Sequence, residues 1–168
     1  MYAERKAEIW YSWLNETGSL TKRLRQLHGQ AFGVKLLHQQ WQNPEVNECQ
    51  VLGIPVQRFQ LIREVLLYAN QQPLILARTV LPAKTIAIAQ RNLAHLGVRP
   101  LGEVLFSYPD LERRLLQFSV VKQDNWTSTI LHDLHPPIEV LGRRTVYAIE
   151  HQPLLVAEFF LPGIIQHV

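Results

Sequence analysis

Residues 56–82 read VQRFQLIREVLLYANQQPLILARTVLP. Two apolar, β-branched runs, 56–69 and 73–81, flank Asn70-Gln71-Gln72, and this arrangement predicts a β-hairpin. The pattern recurs near the C-terminus. Arg143 to Glu150 leads into a turn at His151-Gln152-Pro153, then Leu154 to Leu161, where Pro162 ends the run. Strands joined by turns this short are antiparallel.

Working outward, Ala3, Ala7, Trp10 and Leu14 make one apolar helical stripe. Thr17-Gly18 breaks it, and Ser19 is placed to cap a second helix whose buried face is Leu20, Leu24 and Leu27. Residues 32–42 suit a strand ended by Asn43-Pro44. The Asn, Gly and Pro content of 45–55 reads as a loop. Residues 85–96 suit a helix with Gly97 just past its end, and Pro100 opens a further short helix to Phe106. Residues 111–121 fit either period, and 124–137 reads as a loop. The sum is an α+β fold: an antiparallel sheet with helices gathered on one side.

Composition narrows the function. A chain of 168 residues suits one domain over 1–168, and 47 % hydrophobic against 18 % charged excludes a disordered chain. A net charge of +3 is compatible with small anionic ligands and by itself does not point to nucleic acid. A single cysteine, Cys49, excludes a disulfide framework and a multi-cysteine zinc site, and fits a reducing cytoplasmic setting. Met1 to Lys6 and the residues after them show no signal-peptide pattern, and no apolar run approaches the roughly 20 residues of a membrane span, so a soluble domain is expected. His132 and His135 are three apart, but Pro136-Pro137 follows directly and no third metal ligand lies nearby. Phosphate-binding glycine loops and the G-x-S-x-G nucleophile motif are absent.

The informative residues are charges on apolar strand faces. Alternate strand residues share a face. Arg63 then sits among Phe59, Leu61, Val65 and Leu67; Arg78 among Leu74, Leu76 and Val80; Glu158 among Leu154, Val156 and Phe160. A buried charge costs several kcal/mol unless it has a partner, water or a ligand. The plain alternative is a structural ion pair of Arg63 or Arg78 with Glu158. If all three converge, one positive charge is left over, which is what a pocket for an anion would hold; the arginine fork grips carboxylates with two parallel bonds. Arg113-Arg114, Arg143-Arg144 and the run Lys22 to Arg25 read as solvated surface charge.

Five segments carry a resemblance: SLTKRL at 19–24, REVLLYANQQPLILARTVLP at 63–82, LGVRPLGEVLF at 96–106, GRR at 142–144 and QPLLVAEFFLP at 152–162. In order and spacing, across nearly the whole chain, they resemble the chorismate lyase (chorismate–pyruvate lyase) family. The resemblance implies about six antiparallel strands, with helices acting as flaps over a buried pocket. It implies conversion of chorismate to 4-hydroxybenzoate and pyruvate, the first committed step towards ubiquinone, with no metal or organic cofactor. Carried over by position, the carboxylate-binding arginine is Arg63, the glutamate near the ring hydroxyl Glu158, and the second arginine Arg78, set to hold the leaving enolpyruvyl group. The ligand-contacting flap positions are Leu20 and Leu101. Position 20 is Leu where some members carry Met, and segments 35–55 and 124–140 depart from the family pattern. A monomer that is inhibited by its product, and neither binds nucleic acid nor inserts in a membrane, is expected. The alternatives are a non-catalytic effector-sensing domain of the same fold, or a related lyase that makes 3-hydroxybenzoate.

Overall fold

A computed structural model describes residues 1–89 and 92–166. The helices are α1 (Tyr2–Leu14), α2 (Leu20–His28), α3 (Val46–Leu52), α4 (Ala83–Ile88) and α5 (Leu101–Leu105). The strands are β1 (Phe32–Gln42), β2 (Gln60–Ala69), β3 (Gln72–Leu81), β4 (Glu112–Lys122), β5 (Glu139–Ile149) and β6 (Gln152–Phe160). They form one antiparallel sheet in the order β1-β2-β3-β6-β5-β4. The expected α+β class and single antiparallel sheet are observed, but the helices are not all gathered on one side: α3 packs on the face opposite α1, α2 and α5, because both faces of the sheet are apolar.

Both hairpins turn tightly. Asn70 and Gln71 have φ of 50° and 65°, and Glu150 and His151 have 47° and 67°. Two consecutive left-handed residues match the twist of the strands that they join. Such turns fix register, so β5 and β6 pair with Arg143 opposite Glu158 and Tyr147 opposite Leu154. Residues 111–121, ambiguous in sequence, form the edge strand β4. Ser19 caps α2 as expected, accepting the Lys22 amide at 3.2 Å. The helix expected over 85–96 is instead α4 followed by a 3-10 turn over 93–95, and residues 90–91 lie outside the described residues.

The core has two layers, one on each side of the sheet. On one face, Trp13, Leu20 and Leu24 of α1 and α2 pack on Leu67, Ile75 and Phe160. Alongside them, Leu101, Val104 and Leu105 of α5 pack on Leu61, Leu81 and Tyr147. The opposite face carries Ile62, Val80, Val146 and Leu155, covered by Leu52 of α3. Its other half, Leu66, Leu76, Ala157 and Phe159, lies under Leu131 and Trp126. The segments 45–55 and 124–137, expected as loops, therefore close the second face. Residues 46–52 are helical because Glu48 Oε1 accepts the Glu45 amide at 2.9 Å and Gly53, in the left-handed region at φ 66°, ends the turn. The sheet needs this cover: β2 and β3 are buried along nearly their whole length, and apolar surface on both sides must leave water.

Candidate active site

The register decides which charges meet. Residues directly opposite one another in an antiparallel pair share a face. Arg63 stands opposite Thr79, Thr79 opposite Val156, and Val156 opposite Thr145. One step along, Val65, Ala77, Glu158 and Arg143 form the next row on the same face. Over these rows lie Ser19–Thr21 at the start of α2 and Pro100–Gly102 at the start of α5, so that Leu20 and Leu101 both line the cavity beneath. The two flaps touch: a Cβ built on Gly102 would come to 3.4 Å from Ser19 Oγ. Outside, Arg25 of α2 pairs with Glu103 of α5 at 2.8 Å.

Arg63 is 1 % exposed, and its partners are neutral. Nη1 donates to Gln39 Oε1 and Nη2 to the Arg99 carbonyl, each at 3.1 Å. Gln39 is itself held by the Ala94 carbonyl, to which its Nε2 donates at 2.9 Å. These two bonds use part of a fork with five N–H donors, and Arg63 lines the cavity. Burial pushes the guanidinium below its ordinary value. This is a cation taken out of water with neutral neighbours, at the position where sequence alone placed one.

Glu158 also lines the cavity, and its ion-pair partner is Arg143. Nε donates to Oε2 at 2.6 Å and Nη2 to Oε1 at 3.4 Å. Nη1 donates to the Leu14 carbonyl at 3.1 Å and the Glu16 carbonyl at 2.6 Å. Arg143, expected in solvent, is 5 % exposed and lines the same cavity. The wall thus carries two arginines and one glutamate, the charge balance expected, with Arg143 in the place foreseen for Arg78. The turn expected at 151–153 would have set 143 opposite 161; the observed turn at Glu150-His151, with Gln152 already in β6, puts 143 opposite 158.

Arg78 lies on the other side of the sheet. Since Thr79 faces Arg63, Arg78 must face away. There Nε and Nη2 grip both oxygens of Glu48 at 2.9 and 2.8 Å, and Nη1 reaches Glu64 at 3.0 Å. Burial alone would lower this guanidinium; the contacts with Glu48 and then Glu64 hold it above its ordinary value. The role read for Arg78 at the leaving group therefore does not survive, because a sheet separates it from the cavity. Arg78→Met would leave two buried carboxylates without their cation. We expect a loss of about 3–5 kcal/mol in stability, seen as a lower midpoint in urea, while the folded protein keeps its ligand affinity. Weakened ligand binding at full stability would return Arg78 to the site.

A larger groove of about 720 Å³ runs along that outer face past Asn47, Gln117, Trp126 and Arg144. Its buried carboxylate, Glu48, is already matched by Arg78. Cys49 beside it is 1 % exposed, and burial followed by the Glu48 charge pushes its thiol up, away from a reactive thiolate. Among the described residues no group of three or more His, Cys, Asp or Glu could hold a metal ion, and no helix is long and apolar enough to cross a membrane. Two other arginines serve locally: Arg23 lies 3.7 Å over the Trp13 ring, and Arg113 Nη2 donates to the Thr17 carbonyl at 2.8 Å.

Comparison with known proteins now bears on this cavity. The sequence profile of the family described as chorismate lyase matches residues 4–168. The chain belongs to the chorismate lyase family. Relatives named "Probable chorismate pyruvate-lyase" include one from Methylococcus capsulatus, 41 % identical over 92 % of this chain and 95 % of its own length. Another, from Hydrogenovibrio crunogenus, is 34 % identical over 90 % of this chain and 80 % of its own. Among solved structures, the effector domain of PhnF from Mycobacterium smegmatis superposes with a TM-score of 0.59 at 15 % identity, covering 88 % of this chain and 91 % of that one. A GntR-family transcriptional regulator from Bacillus cereus gives 0.60 at 16 % identity, covering 82 % and 96 %. At such identities these structures share the fold of this chorismate lyase family member.

Proposed function

We propose that this protein converts chorismate to 4-hydroxybenzoate and pyruvate, supplying the aromatic precursor of ubiquinone. The observation that carries the reading is the buried Arg63 with neutral partners, facing a cavity that also holds Glu158. A cation so placed is matched by a carboxylate from outside the chain. β2 and β6 are two strands apart, about 10 Å across the sheet. With both side chains reaching inward, that gap suits one ring with polar groups at opposite ends. Family membership supports the substrate class.

In the reaction, the ring carboxylate sits on Arg63 and the ring hydroxyl donates to Glu158. The C–H bond at the hydroxyl-bearing carbon breaks, and its electrons enter the ring. The neighbouring C–O bond breaks, with its electrons leaving on the enolpyruvyl oxygen. The enolpyruvate takes up a proton and becomes pyruvate. Aromatisation drives the step, so the protein has only to hold the substrate and favour the developing charge. Glu158 is the side chain placed to take the proton. With Arg78 behind the sheet, Thr21 and Thr79 remain on the wall to meet the leaving group. The leucines exclude water and strengthen each charged contact.

The cavity has a volume of about 60 Å³, while an apolar cavity of about 150 Å³ takes up benzene. A ring acid therefore fits only when the flaps shift outward, and the same movement would open its way in and out. The Arg25–Glu103 pair that joins them is exposed, and such pairs contribute little; the apolar packing of Leu20 and Leu101 is the larger resistance. Release should be slow, and 4-hydroxybenzoate should inhibit. Progress curves with added 4-hydroxybenzoate are expected to show competitive slowing; rates indifferent to added product would count against an occluded site.

The test of the reading is incubation of pure protein with chorismate and identification of the aromatic product. 4-Hydroxybenzoate with one equivalent of pyruvate is expected. The 3-hydroxy isomer would mean a related lyase. Tight binding of hydroxybenzoates without turnover would mean a non-catalytic sensing domain.

A further inference from the structure

Resting on the chorismate lyase reading above, we propose that Arg143 is a positioning residue, holding Glu158 at the angle from which it meets the ring hydroxyl and tying that carboxylate to the root of the first flap. The planar guanidinium is shared between two jobs. One edge, Nε and Nη2, grips Glu158; the other nitrogen, Nη1, donates to the carbonyls of Leu14 and Glu16. Leu14 is the last residue of α1, and Glu16 lies three residues before Ser19, the cap of α2. The carbonyls at a helix C-terminus lack intrahelical donors and carry partial negative charge, so a cation is favoured there.

An ordinary cross-strand ion pair would leave both side chains free to turn together. Here the guanidinium plane is fixed from outside the pair by two backbone carbonyls, and Glu158 inherits that orientation. Its side chain is 13 % exposed and lines the cavity. An ionised carboxylate offers about four acceptor sites; with one side taken by Arg143, the others are left for a ligand hydroxyl. Small misplacement of a reacting group is costly, so the contact matters beyond charge balance. The same atoms make the seating of the first flap and the aim of the carboxylate a single event.

The test compares 4-hydroxybenzoate with benzoate, which keeps the carboxylate for Arg63 and lacks the hydroxyl. Affinities are measured by calorimetry on the full chain, with kcat and KM for chorismate alongside. The wild type should prefer 4-hydroxybenzoate. Arg143→Gln should lose about tenfold of 4-hydroxybenzoate affinity, of the order of one hydrogen bond to a charged group. Benzoate should change less than about twofold, because its partner Arg63 is untouched, and kcat should fall with KM little altered. Arg143→Lys keeps the charge opposite Glu158, so folding is preserved, but an ammonium cannot hold the carboxylate and both carbonyls in one plane. It should show the same selective loss to a smaller degree. The proposal is overturned if both variants keep the wild-type preference, or if both ligands weaken equally, as for a general prop of the cavity. A wild type with no preference for the hydroxylated acid would overturn the underlying reading, and this one with it.

Discussion

Arg63→Met should abolish measurable binding of 4-hydroxybenzoate while leaving the fold as stable as before, or more so. The two effects have one cause. A 1 % exposed guanidinium with neutral partners is costly for the folded chain until a carboxylate arrives. Removing a buried charged partner from a bound ion costs about 2–5 kcal/mol, which at 1.4 kcal/mol per decade is at least a thirtyfold loss and reaches several thousandfold. Replacing the cation with an apolar chain of similar length removes a desolvated charge, leaving only Gln39 Oε1 and the Arg99 carbonyl to find other donors. The contrast with Arg78→Met is the diagnostic part. Both arginines are buried, on adjacent strands, but one is matched within the chain and the other is not. Calorimetry and urea unfolding on the two variants should give opposite results: Arg63→Met stable and unable to bind, Arg78→Met unstable and able to bind. A marked loss of stability in Arg63→Met with affinity retained would mean that Arg63 is structural and the anion site lies elsewhere.

Glu158→Gln should reduce turnover of chorismate by about a hundredfold or more, the range for removal of a positioned base. Glutamine keeps the shape and can still accept a hydrogen bond from the ring hydroxyl, so 4-hydroxybenzoate binding should weaken only severalfold. The carboxylate lines the cavity and faces Arg143, whose charge would then lack its partner. Arg143 retains the Leu14 and Glu16 carbonyls, so the variant should fold. Turnover near the wild-type rate would remove Glu158 as the proton acceptor, leave it with ligand positioning alone, and point to proton transfer within the substrate.

The sheet and much of its chemistry were legible because local rules decide them. Two β-branched runs about a polar turn can scarcely be anything but a hairpin, and strand alternation singled out Arg63 and Glu158 before any tertiary contact was known. Arg78 went astray for a definable reason. Its neighbours Leu74, Leu76 and Val80 are core residues, but the sheet has a core on each face, and apolar company does not say which. Only the pairing of Arg63 with Thr79 does. Long apolar runs without alternation in 61–69 and 74–81 already signal burial on both sides. Read that way, they require a second cover, which α3 and the segment around Leu131 provide. Arg143 was missed because an adjacent arginine pair looks like surface charge, although one member of such a pair on a covered strand must face inward. The two short helices were read from Ser19 and Pro100 and their role as flaps from the resemblance alone, because the packing that brings Leu20 and Leu101 over the cavity is encoded by no local pattern.

One cavity should hold a hydroxylated ring acid between Arg63 and Glu158. The most direct measurement is a crystal structure of the protein with 4-hydroxybenzoate. The ligand should lie beneath the two flaps, its carboxylate on the Arg63 fork and its hydroxyl on the Glu158 carboxylate, with Arg78 still gripping Glu48 behind the sheet. A ligand lodged in the outer groove beside Trp126, or lying under the flaps with no contact to Arg63, would contradict it.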